Sequence, residues 1–547
     1  MQMHRLLVMT SVVTTSKRGV LSPPVRPAGP TLIGGSNWTR ATWALLVVLC
    51  GALFLDGLDI SMVGVALPSM GTDLHMSPNS LQWIVSAYVL GYGGLLLLGG
   101  RAADLLGRRP VFLTAVAVFG VASLVSAFMT NDTALIALRL VKGASAAFTV
   151  PAGLSIITTT FAEGPARNRA LSIYTVCGAS GFSLGLVFGG VLTEIGWRAT
   201  LVAPAPVALA LVVIGYRLLP RVPRERISIG HLDLAGAFTS TASLLVLVYS
   251  VVQAPSRGWG SPATIGLLAV SAALMTTFVF VERRHPRPLL RLGILRSRSL
   301  VHANISGAVM FGGYVAFQFV VTLYLQNSLG WSPLSMALGF LPAGALVVAS
   351  ATKMGVVLER VRTEVLIFAG LLSFVLGYVL FLRVNPSMGY ANFLLPTMLL
   401  LGVGFALAFP SINAQATAGV DAHEQGLASG LVNTSIQIGG AIVLAVVTAI
   451  LGTGAQTVHG QLLPGMATTI AVSVGVSSVG LLLTGIVLVA RHRADRAASR
   501  LVLADGLVLS GEPALIGEPA VIGEPGVIGE PAVVGEPARE LVACENC

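Results

Sequence analysis

Residues 41–68 read ATWALLVVLCGALFLDGLDISMVGVALP, an apolar run in which the only charged side chains are Asp56 and Asp59. A bilayer core about 30 Å thick is crossed by ~20 apolar residues in a helix, so the run is long enough to span it. Similar stretches follow at 80–99, 110–129, 134–160, 170–192, 198–219, 233–253, 262–281, 300–325, 333–357, 364–383, 391–417, 427–451 and 467–490, which with the first predict fourteen transmembrane helices. Composition agrees: 54% of residues are hydrophobic and 10% charged, too little polar surface to cover a water-soluble fold of 547 residues.

Lysine and arginine fix the expected orientation. With the N-terminus in the cytoplasm, 28 of the 33 basic residues fall in inner segments. Arg101, Arg108 and Arg109, then Arg217, Arg221, Arg224 and Arg226, and the arginines from Arg283 to Arg298 are the main groups. The outer loops hold only Arg198, Arg257 and Arg383. Such asymmetry is the positive-inside rule, and it predicts both termini on the cytoplasmic side. The net charge of +10 is therefore an inner-face signature with some attraction to anionic membrane lipids, and it requires no nucleic acid. No secretory signal peptide is expected in residues 1–40. After the last span, Gly-Glu-Pro recurs at 511, 517, 523, 529 and 535, a composition expected to stay disordered. Cys50, Cys177, Cys544 and Cys547 are too scattered for a disulfide framework, and no metal site is expected.

Charges inside a bilayer are costly enough to mark function. Besides Asp56 and Asp59 in the first span, Arg139 and Lys142 stand in the fourth, again spaced i, i+3 on one helix face. Counted from Pro68 and Ala134 at 1.5 Å per residue, Asp59 and Lys142 both lie about 12–14 Å below the outer surface. Two readings stand. The four groups form a structural salt bridge that lets two helices pack, or an acid in a water-accessible cavity alternates between Arg139 and a proton, since burial favours a protonated carboxyl and a nearby cation favours a carboxylate.

Between spans two and three stands Gly100-Arg101-Ala-Ala-Asp104-Leu-Leu-Gly107-Arg108-Arg109, which resembles the signature cytoplasmic loop of the major facilitator superfamily. Gly100 is expected to allow close helix approach, Gly107 a tight turn, and the loop to latch the two halves on the inner side. Gly355-Val-Val-Leu-Glu359-Arg360-Val-Arg362 is a degenerate second copy, as a repeated architecture implies. Leu58-Asp59-Ile-Ser-Met-Val-Gly64-Val-Ala-Leu-Pro68 resembles the first-span motif of the fourteen-helix drug:proton antiporter branch, with Gly64 where Asn is common. Arg139-Leu-Val-Lys142-Gly143 resembles the fourth-span motif whose arginine is implicated in proton coupling, with Lys142 where Gln is usual. Gly178, Gly181, Gly185 and Gly189 share one face of span five. Gly185-Leu186-Val-Phe-Gly189-Gly190 resembles the antiporter motif, with Leu186 in place of its usual proline. In span thirteen, Asn433 and Gln437 are read either as substrate-cavity contacts or as interhelical hydrogen-bond glue.

The resemblance implies an all-α membrane protein with the major facilitator fold, two six-helix bundles plus two additional transmembrane helices. The parts would be a tail over 1–40, a bundle over 41–219, the extra pair and linkers over 220–299, a second bundle over 300–490 and a tail over 491–547. It implies a monomeric proton-coupled exporter of small amphipathic compounds in the bacterial plasma membrane, using no cofactor beyond the proton motive force. A dedicated exporter of a natural product or lipid, an inward symporter and a non-transporting sensor remain alternatives. An ATP-driven pump is excluded by the lysines, because Lys17, Lys142 and Lys353 all lack a phosphate-binding loop around them. No Gly-x-Ser-x-Gly elbow or paired metal motif points to an enzyme.

Overall fold

The computed structural model describes residues 38–162, 165–220, 233–285, 288, 290–420, 425–451 and 460–509; the Asp104 side chain, the Gly-Glu-Pro repeats and both C-terminal cysteines lie outside the described residues. The described secondary structure is almost wholly helical. In order, the helices are α1 (Arg40–Asp73), α2 (Pro78–Leu106), α3 (Arg108–Ser126), α4 (Asp132–Thr160), α5 (Pro165–Ile195), α6 (Trp197–Val202), α7 (Pro204–Leu218) and α8 (Leu234–Arg257). There follow α9 (Pro262–Arg284), α10 (Arg298–Leu323), α11 (Pro333–Arg360), α12 (Thr363–Phe381), α13 (Tyr390–Thr417), α14 (Gln425–Leu451) and α15 (Met466–Leu509). Together α6 and α7 make the sixth span, so each of the fourteen expected stretches falls on a helix. Thirteen of these are long and apolar enough to cross a membrane among the described residues; α2, where the Leu97 side chain is not described, supplies the remaining member of the series.

Local sequence sets the helix starts. Ser77-Pro78, Ser261-Pro262 and Ser332-Pro333 open α2, α9 and α11 alike: the serine hydroxyl accepts from the amide three residues on, and the proline occupies a first-turn position that needs no N–H. Gly107, at φ +95°, separates α2 from α3 as the expected tight turn. Pro68 does not end the first span, as the sequence reading had it. The helix runs through it to Asp73, because in a packed membrane helix the lost backbone bond is tolerated. Likewise α15 continues to Leu509, beyond the expected end at 490.

The chain divides into two compact units, 1–489 and 490–547, and the membrane helices belong to the first. Within it the second half repeats the first. The closest pairs among the early helices are α1 with α5 and α2 with α4; among the later ones they are α10 with α14, α12 with α13, and α11 with α13. Shifting the span number by eight maps α1·α5 onto α10·α14 and α2·α4 onto α11·α13, which is the repeated architecture of the fold. The halves meet along two related seams, α5 against α11 and α2 against α14. Of the extra pair, α8 packs on α2 and α14, covering one seam, while α9 packs on α8.

Glycines allow these approaches. A Cβ on Gly181 would lie 2.3 Å from the Phe54 carbonyl oxygen, and one on Gly185 would lie 2.6 Å from that of Leu58, so α5 lies directly on the α1 backbone. Gly178 and Gly189 complete the seam against Leu53 and Met62, whereas Gly190 turns away to meet Leu334 and Ala337 of α11. Between α2 and α4 the close approach is at Gly99, 2.1 Å from the Ala147 oxygen by the same measure, and not at Gly100, whose nearest neighbour is 3.7 Å away. The sequence reading placed it one residue late, because the repeat of small residues does not reveal which one faces the partner.

One apolar core joins Val63–Met70 of α1 to α10, α11 and the rest of the second half, while a separate core holds the opposite ends of α1 to α5 and α7 within the first half alone. The halves are therefore closed on each other at the Asp73 end and separately packed at the Gly107 end. Gly181→Ala should lower stability by about 1–3 kcal/mol through overpacking, while Gly355→Ala, with nothing within 4 Å of its Cβ, should leave it unchanged. Thermal unfolding of the purified variants in detergent checks the contrast.

Candidate functional site

The four intramembrane charges converge where α1, α2 and α4 meet. Backbone proximity is set by Gly143, whose Cβ would lie 2.0 Å from the Tyr88 carbonyl oxygen, and by Gly91 against Leu140 and Ala144. With α2 and α4 so close, Arg139 and Lys142 both reach across to Asp59, and each makes an ion pair with one of its carboxylate oxygens. All three side chains are shut away: Asp59 and Lys142 have no exposure and Arg139 only 2%. Arg139 Nε also donates to the Ile84 carbonyl at 3.0 Å, and its guanidinium lies 4.5 Å from the Tyr88 ring centroid. Lys142 Nζ lies 4.9 Å from the Phe119 ring. Each cation thus faces an aromatic ring as well as a carboxylate oxygen, which offsets part of the cost of removing it from water.

Asp56 is also buried, one turn earlier on α1, but its Oδ2 has no hydrogen-bond partner. The expected shared level of two acids and two bases is therefore uneven, with both bases committed to Asp59. A water-accessible position for Asp59 is not what this conformation offers, since the side chain is sealed between three helices.

Of the loop expected to act as a latch, Arg109 is tied to its own half. Arg109 donates to the Tyr216 carbonyl at 2.5 Å and stacks on the Tyr216 ring at 5.1 Å, both on α7 of its own half. Arg101 and Arg108 are half-buried at the same end, and the part expected of Asp104 falls outside the described residues. Among the described residues, the contacts of Arg109 stay within the first half.

On α14, Gln437 is buried against Gly93 of α2, 2.9 Å from its would-be Cβ, and thus lies in a seam between the halves. Its Oε1 has no partner, and half-buried Asn433 donates to Ser429 of its own helix at 2.9 Å. Among the described residues, neither makes an interhelical hydrogen bond. The polar ties the sequence reading passed over are elsewhere. Ser435 Oγ donates to Asn304 Oδ1 at 2.6 Å, and His302 lies 3.2 Å from Gln415 and 2.9 Å from Thr484, joining α10, α13 and α15. A histidine within an apolar span was a readable signal. Tyr314 of α10 meets Phe182 of α5 across the halves and Phe405 of α13, at 6.0 and 5.7 Å between ring centroids. A groove of about 790 Å³ between α3, α4 and α7 runs past Arg109, Val118, Val125 and Tyr216, and the charged quartet does not line it.

The model of the Major Facilitator Superfamily matches residues 49–444. This chain belongs to that superfamily. It is 38% identical over 425 residues to the puromycin resistance protein pur8 of Streptomyces alboniger, covering 77% of this chain and 83% of that one. Against the cephamycin export protein CmcT of Amycolatopsis lactamdurans the identity is 36%, over 78% and 88% of the two chains. Among solved structures, the POT family transporter PepTSo superposes with a TM-score of 0.61 at 14% identity, covering 84% of this chain and 99% of that one, a likeness of fold. As a member of this superfamily the chain is a multi-pass membrane transporter and not an enzyme.

Removing one partner from a buried ion pair typically costs about 3–5 kcal/mol. Arg139→Ala should approach that loss, because it also frees the Ile84 carbonyl and the Tyr88 ring, whereas Lys142→Gln, which keeps the Arg139–Asp59 pair, should cost less. Unfolding temperatures of the purified variants decide the order.

Proposed function

We propose that this transporter exports small amphipathic compounds, drugs or toxic natural products, across the bacterial plasma membrane in exchange for protons, with both termini in the cytoplasm. The observation that carries the reading is the fully buried carboxylate of Asp59 held by Arg139 and Lys142 on a neighbouring helix. A charge cluster that only joined helices could be replaced by apolar packing at little or no cost in stability. An acid that exchanges its cations for a proton has to be charged, and because Asp59, Arg139 and Lys142 all belong to the first half, the exchange calls for a shift of α1 against α4 within that half as the cleft changes sides. In the proposed cycle, rocking of the two halves alternately opens the cleft to either side. When the movement parts Asp59 from Arg139, the carboxylate left in low dielectric takes a proton, and re-pairing releases it.

Export rather than uptake is supported by the relatives, whose names are those of resistance and export proteins. Because each is named for one antibiotic, a transporter dedicated to a single natural product is the second reading. Cleft residues that would meet the cargo are Gln437, Asn433 and the aromatic group of Phe182, Tyr314 and Phe405. We further propose that the protein works as a monomer in the membrane, driven by the proton motive force without a bound cofactor.

The test is transport by the purified protein in liposomes carrying an imposed pH gradient, with puromycin and ethidium as probes. Probe movement accompanied by counterflow of protons is expected, and Asp59→Asn should abolish it while folded protein still accumulates in the membrane. Probe binding without flux would instead identify a sensor, flux of protons and probe in the same direction a symporter, and full coupling in the Asp59→Asn variant would remove that carboxylate from the mechanism.

A further inference from the structure

Asp56 has no assigned part in the cycle above, yet its surroundings differ from those of Asp59 in a way that gives it one. It lies one helical turn away on the same face of α1, at 5% exposure, with Oδ2 buried and without a hydrogen-bond partner. No cation among the described residues pairs with it, for Arg139 and Lys142 are both bound to Asp59. The groups near enough to act on it electrostatically are Asp59 on its own helix, Lys142 on α4, Tyr88 and Tyr92 on α2, and Tyr174 on α5. Lys142 is thus the nearest positive charge and is shared.

Charge counting makes the two acids unequal. Two buried cations against ionised Asp59 leave the cluster at plus one, and ionised Asp56 brings it to zero. A proton placed on Asp59 would leave Arg139 and Lys142 beside one another with only the unpaired Asp56 to balance them. Placed on Asp56 instead, the same proton leaves the paired triad intact. Unpaired charge is the expensive condition in a low-dielectric interior, so exchange at Asp56 is the event that disturbs the fewest bonds. Access runs the same way: Asp56 is the nearer of the two to the Gly107 end, where the halves are separately packed. The sequence carries a matching sign, since Lys142 stands where the motif it resembles usually has a neutral Gln, and Asp56 supplies a negative charge to set against it.

We propose that Asp56 is a second proton-exchanging carboxylate, balanced by Lys142, so that the chain carries one proton on Asp56 in addition to the proton exchanged at Asp59. The step is protonation of the carboxylate from water when the cleft is open at the Asp73 end and release of the same proton to water when it is open at the Gly107 end, with no other group consumed. This inference rests on the proton-coupled reading of the same site.

The experiment has two readouts on the full-length protein. In liposomes, the ratio of protons to ethidium moved is measured for the wild type, Asp56→Asn and the charge-balanced double variant Asp56→Asn/Lys142→Gln. The double variant should retain transport with its proton ratio about halved relative to the wild type, as expected when one of two titrating groups is removed. In detergent, infrared difference spectra between acid and neutral pH should contain a buried carboxylic-acid carbonyl band that is lost in Asp56→Asn and kept in Lys142→Gln. An unchanged proton ratio in the double variant, or an infrared difference spectrum that Asp56→Asn leaves without loss of any carbonyl band, would overturn the proposal for Asp56. Absence of any proton coupling in the wild type would instead bring down the antiport reading on which it rests.

Discussion

Everything in the first half of this transporter is arranged around an ion pair that has to exist without water. Asp59 meets Arg139 and Lys142 at the junction of α1 with α2 and α4, where α2 and α4 approach to backbone contact through Gly91, Gly99 and Gly143. A larger side chain at any of them would part the helices and strand the charges. Buried salt bridges rarely improve stability over well-packed apolar residues, so the cluster is a costly way to join these helices.

The same close packing explains how the halves can be both rigid and separable. Within each half, α5 on α1 and α14 on α10 meet through glycines, with Gly439 against Ala308 repeating what Gly181 does against Phe54. Between the halves the ties are fewer and concentrate at one end, where Gln326 Nε2 donates to the Val65 carbonyl at 2.9 Å. Two stiff units joined at one edge are the mechanical minimum for a cleft that changes sides.

Much of this was legible in the chain. Fourteen apolar stretches and the basic loops between them fix the spans, because the bilayer imposes one length and one chemistry on every helix. The meeting of Asp59 with Lys142 was readable from depth, even though Pro68 lies within α1 and the helix ends at Asp73 rather than at the proline from which depth is counted. What the sequence could not tell is direction around each helix axis. Gly99 rather than Gly100 lies against the α4 backbone, Asn433 bonds to its own helix, and Arg109 turns to Tyr216, all questions of rotation on which spacing is nearly silent. Nor could it tell that both bases choose the same acid, because that depends on side-chain reach across a gap of fixed width.

The extra pair of helices breaks the symmetry of the design. With α8 against both α2 and α14, one of the two seams between the halves is walled off from the surrounding lipid, while among the described residues no helix is packed in the same way over the equivalent seam along α5 and α11. A greasy guest already dissolved in a leaflet would meet a blank flank on one side of the molecule and an unscreened one on the other. The duplicated bundle is two-sided in its internal logic and one-sided towards the membrane.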